Sequence, residues 1–124
     1  MLSKKQMDNI SKANSVVFST CYYKQPRSIN VVPSKITKDQ IIISNIQMDK
    51  SFENIKRNHK CFVLCYLPDK EDLQYKIDGV AKIYKTGKLF NEIKKYEEEN
   101  NLPPELKVSA IIVINIKNIE ESIG

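Results

Sequence analysis

KVSAIIVINIKNI, residues Lys107 to Ile119, is rich in isoleucine and valine over a length unusual for a strand of an open sheet. Long strands suit a barrel, whose tilted strands run the full height of the wall. Upstream, Leu89, Phe90, Ile93 and Tyr96 are spaced as one apolar helix face, after a turn at Gly87 and ending near Asn100-Asn101, before Pro103-Pro104. From Gln74 to Lys85 the pattern alternates, with Tyr75, Ile77, Gly79, Ala81 and Ile83 on one face and Lys76, Asp78 and Lys82 opposing them. Cys61 to Leu67 is a continuous apolar run, which predicts a strand buried on both sides.

The stretch before it, SNIQMDKSFENIKRN from Ser44 to Asn58, reads as a strand end, a short connection and a helix that opens on a lysine and a hydroxyl. Amides at a helix start lack intrahelical partners and carry the positive end of the dipole, so Lys50 and Ser51 there suit a phosphate. Further back, Ser15 to Tyr23 and Ser28 to Ser34 are two extended runs split by Lys24-Gln25-Pro26, a hairpin signal. Pro33 cannot donate to a ladder and must lie at an edge, a bulge or a strand end. A second turn, Thr37 to Gln40, leads into IIISN. At the N-terminus Ser3 and Gln6 make a capping box, with Leu2 and Met7 at the staple positions of a helix to Ser11. Six extended segments and three short helices, with no repeat or linker, predict a mainly β fold: a closed or split barrel forming a single domain over residues 1–124.

Composition narrows the function classes. Hydrophobic residues at 41% and charged residues at 28% are those of an ordinary globular chain and too apolar for disorder. No apolar run approaches the about 20 residues that span a bilayer, and MLSKKQMDNI lacks a signal-peptide core, so no membrane association and a cytoplasmic location are expected. Cys61 and Cys65 lie about 13 Å apart along one strand, too far for a disulfide. With Cys21 they read as buried thiols in a reducing compartment. The single histidine, His59, excludes a histidine-based metal cluster and reads as a partner of a helix C-terminus. The net charge of +5 permits an anionic ligand, but Lys94 and Lys95 run straight into Glu97, Glu98 and Glu99, so binding of nucleic acid is not expected.

Three stretches carry a resemblance. SINVVPS at Ser28 to Ser34, SNIQMDKS at Ser44 to Ser51, and Gln74-Tyr75-Lys76-Ile77-Asp78-Gly79 stand in the order and spacing of the pyridoxamine 5'-phosphate oxidase-like FMN-binding proteins. The chain resembles the smallest, single-domain members over nearly its whole length. The resemblance implies a six-stranded split β-barrel of the FMN-binding type. It places the FMN phosphate on Lys50 and Ser51, and the ribityl chain and ring along Asn30, Val31, Val32, Pro33 and Ser34. Ser44 and Asn45 would bond the ring edge or phosphate side, and Gln74 the pyrimidine end. It further implies a homodimer with the flavin at the subunit interface and a small-molecule or redox-protein electron partner.

The implied activity is that of a flavin-dependent oxidoreductase or electron carrier, with no protein residue as nucleophile. There is no tryptophan and no C-terminal arginine-containing substrate segment, which argues against oxidation of pyridoxamine phosphate. Asp49 stands where the oxidases often carry arginine and is read as a helix cap. Ile29 occupies another of their arginine positions, two residues after Arg27. A catalytically silent flavin-binding module stays open, as does a non-flavin barrel binding nucleic acid or another phosphorylated ligand.

Overall fold

The computed structural model describes residues 1–123. Seven strands form one antiparallel sheet: β1 (Val16–Tyr22), β2 (Gln25–Val31), β3 (Lys35–Ile36), β4 (Gln40–Asn45), β5 (Lys60–Leu67), β6 (Leu73–Tyr84) and β7 (Ala110–Ile123), in the order β2-β1-β5-β6-β7-β4-β3. The helices are α1 (Lys4–Lys12), α2 (Lys50–Arg57) and α3 (Lys88–Asn100). Phe18 near one end of the sheet and Ile41 and Ile43 near the other share a buried cluster with Val63, Ile77, Ile112 and Ile114. The sheet therefore curls upon itself, and its two end strands, β2 and β3, border a split.

The seventh strand arises from the proline. The run expected to be continuous from Ser28 to Ser34 stops at Val31 and resumes as the short β3, with Val32 and Pro33 between. Because the hairpin turn is Tyr23-Lys24, β2 starts earlier than expected and takes in Pro26 opposite Cys21. An end strand tolerates that proline, since one of its edges has no ladder to complete.

A second correction concerns β5. Cys61, Val63, Cys65 and Leu67 are buried, but Phe62 and Leu64 are half-buried and Tyr66 is exposed, so one face only is fully covered. An antiparallel strand needs one packed face, and in the single chain nothing closes over the other. β7 is the strand covered on both sides: Ile112 and Ile114 point into the barrel, while Ile111 and Val113 meet Phe90 and Ile93 of α3. Tyr96, expected on that same helix face, is instead 56% exposed.

The alternation read in β6 holds at Tyr75, Ile77, Gly79 and Ala81, all buried, and weakens at Ile83, which is half-buried, while Leu73 extends the buried face at the start of the strand. Gly79 sits at a bulge against β7, and a Cβ there would lie 2.4 Å from Ile114 Cγ2 and 3.2 Å from the Asn115 carbonyl. Gly79→Ala is expected to lower stability by about 1–3 kcal/mol through overpacking. Urea denaturation should show a lower midpoint with an unchanged slope.

The N-terminal capping box is realised. Ser3 Oγ accepts from the Gln6 amide at 3.0 Å, and Gln6 Oε1 accepts from the Ser3 amide at 2.9 Å. Leu2, just ahead of α1, and Ile10 within it are buried in the barrel core, and Asn9 Nδ2 donates to the Tyr75 hydroxyl, 2.8 Å away. At the other side of the sheet, Glu98 ties α3 to the approach of β7 by accepting from Lys94 Nζ and from the Val108 amide at 2.8 Å. The Lys94 bond and then the Val108 amide hold the Glu98 carboxyl below the usual carboxylate range.

A lowered folded-state pKa contributes stability that is present above the unfolded value and is lost as pH falls through the folded one. Glu98→Gln is therefore expected to destabilise at neutral pH and to flatten the acid limb. Melting temperatures measured from neutral pH to below about pH 4 should converge with those of the parent chain at the acid end.

Candidate functional site

Two cavities lie at opposite ends of β2, the end strand with one unpaired edge. Gln25 lines the first and Asn30 the second, which places them about 17 Å apart along the strand.

The larger cavity, about 550 Å³, follows the break between β2 and β3. Asn30, Val31, Val32, Pro33 and Ser34 line it together with Ser44 of β4, and α3 closes it with Tyr96, Glu97 and Asn101. Ser34 is drawn toward β4 by its amide, which donates to the Ile42 carbonyl at 2.8 Å. Its hydroxyl lies 2.7 Å from that of Ser44, so the pair offers polar atoms on a wall otherwise built from valine and isoleucine. Such a site, apolar with a few convergent hydroxyls, suits a ring system.

Asn45, the next residue, is not free to join it. Its Nδ2 donates to Ser109 Oγ at 2.9 Å and its Oδ1 accepts from the Met48 amide at 3.3 Å, so its amide holds the turn from β4 to α2.

The smaller cavity, about 300 Å³, lies between α2 and the β1–β2 hairpin tip. Lys50, Glu53, Asn54 and Arg57 present one helix face to Tyr22, Tyr23 and Gln25. The helix is pinned there by Asn54 Nδ2, which donates to the Gln25 carbonyl at 3.0 Å, and by Asn58 Nδ2, which donates to the Cys21 carbonyl at 2.8 Å. Lys50 is exposed and, among the described residues, has no carboxylate in ion-pair range. Its neighbours on the helix are engaged: Lys56 pairs with Glu53 at 2.9 Å, and Arg57 lies 5.4 Å over the Tyr22 ring. The Lys56 bond holds the Glu53 carboxyl below its usual range.

Asp49 does not cap α2. It stands at the N-cap with φ 48° and ψ −108°, far from the extended backbone of a capping residue, and its side chain makes no capping bond. Ser51 faces inward and is 1% exposed, so Lys50 alone of the expected phosphate pair lines the cavity. Gln74 lies on the outer face of β6, opposite Tyr66, and lines neither cavity. Arg27 also lines neither, its guanidinium donating to the Pro26 carbonyl at 3.0 Å.

No family model matches the chain, and no curated protein matches it. Solved structures do. HupZ from Group A Streptococcus has a TM-score of 0.85 at 18% identity, over 98% of this chain and 94% of that one. An FMN-binding protein from Syntrophomonas wolfei subsp. wolfei has 0.74 at 21% identity, over 93% of this chain and 82% of that one. The chain has the FMN-binding split-barrel fold. An F420 reductase gives 0.73 at 15% identity, over 96% of this chain and 98% of that one.

In this split barrel, six of the ten expected residues meet in one cavity: Asn30, Val31, Val32, Pro33, Ser34 and Ser44. Lys50 lines the other. Arg57, Tyr22 and Tyr23 around Lys50, and Tyr96, Glu97 and Asn101 over the ring-sized cavity, were not among the residues expected at the site. Lys50, Asn54 and Arg57 recur at helical spacing, which is a usable signal. Tyr96 gave none, since its spacing matched the buried face of α3.

Two of the three thiols expected to be buried, Cys61 and Cys65, are so, whereas Cys21 is only half-buried. All three cysteines are free, and burial pushes Cys61 up to about 12 and Cys65 up to about 11. His59 Nδ1 lies 3.0 Å from the Ile55 carbonyl at the end of α2, as expected for a helix C-terminal partner. Among the described residues no cluster could hold a metal ion, and no helix is long and apolar enough to cross a membrane.

Proposed function

We propose that this chain is a cytoplasmic, homodimeric FMN-binding protein of the pyridoxamine 5'-phosphate oxidase-like kind, acting as a flavin-dependent oxidoreductase or electron carrier. The observation that supports it best is the pairing of two cavities at the two ends of β2, one with an unpaired cation and one with a valine and isoleucine wall that carries two hydroxyls. That donor set fits the cofactor. Lys50 would hold the phosphate at the start of α2, whose dipole adds attraction. Asn30 to Ser34 would hold the ribityl chain and ring, with Ser44 supporting Ser34. Bound FMN supplies one- or two-electron transfer at its ring. The protein's part is to orient that ring against the valine wall and to exclude water from one face of it.

The homodimer is supported by the uncovered side of β5. Phe62 and Leu64 are half-buried and Tyr66 is exposed on the face that also carries Gln74, Lys76 and Asp78 of β6, and a mixed apolar and polar sheet face of this kind suits a second copy. A pairing through that face would give Gln74, idle in its own chain, a place in the other chain's site. The three free cysteines accord with a reducing compartment.

The test is an absorption spectrum of the protein as purified. Yellow protein that releases FMN on denaturation supports the reading, and bleaching by NAD(P)H with an acceptor separates a reductase from a silent binder. Colourless protein that ignores added FMN overturns it.

A further inference from the structure

We propose that the cavity between the β2–β3 break and α3 seats a small planar organic cation, with Tyr96 as its platform and Glu97 as its counter-ion. Two large apolar side chains stand in water across this one cavity, Tyr96 at 56% exposed and Val32 at 68%. Among the described residues that line it, Glu97 is the one charged side chain. Its Oε1 accepts from Asn101 Nδ2 at 3.2 Å, a bond to a neutral amide that leaves the carboxylate charge uncompensated. The adjacent Glu98, by contrast, is neutralised by Lys94. An aromatic ring beside an uncompensated carboxylate, with an apolar wall opposite, is the arrangement that recognises a cation by its ring face and its charge together. An anion of the same shape meets Glu97 and no balancing lysine or arginine in the cavity. The flavin ring assigned to the same cavity would lie against its Asn30 to Ser34 side and leave the α3 side, with Tyr96 and Glu97, to the cation; the proposal rests on the flavin reading for this one consequence, that the seated cation is the flavin's reaction partner. The seat is built by this chain's own residues.

The experiment is a ligand-observed NMR titration with three probes that share a pyridine ring and differ in charge: 1-methylnicotinamide, nicotinamide and nicotinate. Each is titrated into the full chain, without and with FMN. The cation is expected to bind about tenfold tighter than the anion, the difference one carboxylate makes at close range in a wet site. Glu97→Gln should bring the cation down to the neutral probe. Glu99→Gln, the same charge change on an exposed residue outside the cavity, should leave the order intact. Circular dichroism verifies that both variants fold. No saturable binding of 1-methylnicotinamide, equal affinities for all three probes, or equal effects of the two substitutions would overturn the proposal. If FMN does not bind but the charge order holds, the flavin reading falls and this one stands. If FMN binds and the charge order is absent, the reverse follows.

Discussion

Replacing Lys50 with alanine is expected to weaken FMN binding by about 10- to 100-fold while leaving riboflavin, which lacks the phosphate, nearly unaffected. A charge-assisted hydrogen bond is worth about 1.5–3 kcal/mol, and each 1.4 kcal/mol is about tenfold in affinity. Lys50 is available for such a bond, because no carboxylate among the described residues lies in ion-pair range of it. Lys56 is held by Glu53, and Arg57 is stacked on Tyr22, so neither can replace it without giving up a partner. Arg27→Ala should cost much less, since that side chain lines neither cavity. Fluorescence titration of the two variants checks the ranking, and equal losses would contradict it. Lys50 is exposed, so the fold should survive the change.

Tyr75→Ala is expected to cost about 3–5 kcal/mol of folding stability, a large share of the roughly 5–15 kcal/mol a domain possesses. Tyr75 is 1% exposed at the heart of the barrel, and its hydroxyl accepts from Asn9 Nδ2, which is buried with it. Tyr75→Phe removes little volume but strands the Asn9 amide, at about 1–3 kcal/mol. Asn9→Ala in the same chain removes the orphan. The double variant should therefore be less destabilised than the sum of the singles, and strict additivity in urea melts would contradict the buried pair.

Much of this architecture was legible because single residues permit few alternatives. Ser3 and Gln6 announce a capping box whose two bonds both form. Tyr75, Ile77, Gly79 and Ala81 alternate because one side of β6 meets the core. Pro33 had to interrupt a ladder, yet where the chain resumed depended on β4, which only the folded chain supplies. β5 misled for a related reason: its apolar outer face has nothing above it in the single chain, and a one-dimensional pattern does not say whether a run is covered by a helix, a copy or neither. At the site, the identity of Asn45 and Asp49 suggested ligand and cap. Backbone geometry instead committed Asn45 to a turn and left Asp49 without a capping bond. Asn30 to Ser34 and Lys50, by contrast, do stand at the two cavities at the ends of β2.

The two cavities of β2 are expected to serve the two ends of one flavin. Quenching of flavin fluorescence on titration with FMN and, separately, riboflavin tests this most directly. Saturable binding at one flavin per chain is expected, with FMN at least about tenfold tighter than riboflavin. Equal affinity for the two, or no saturable binding of FMN, would contradict it.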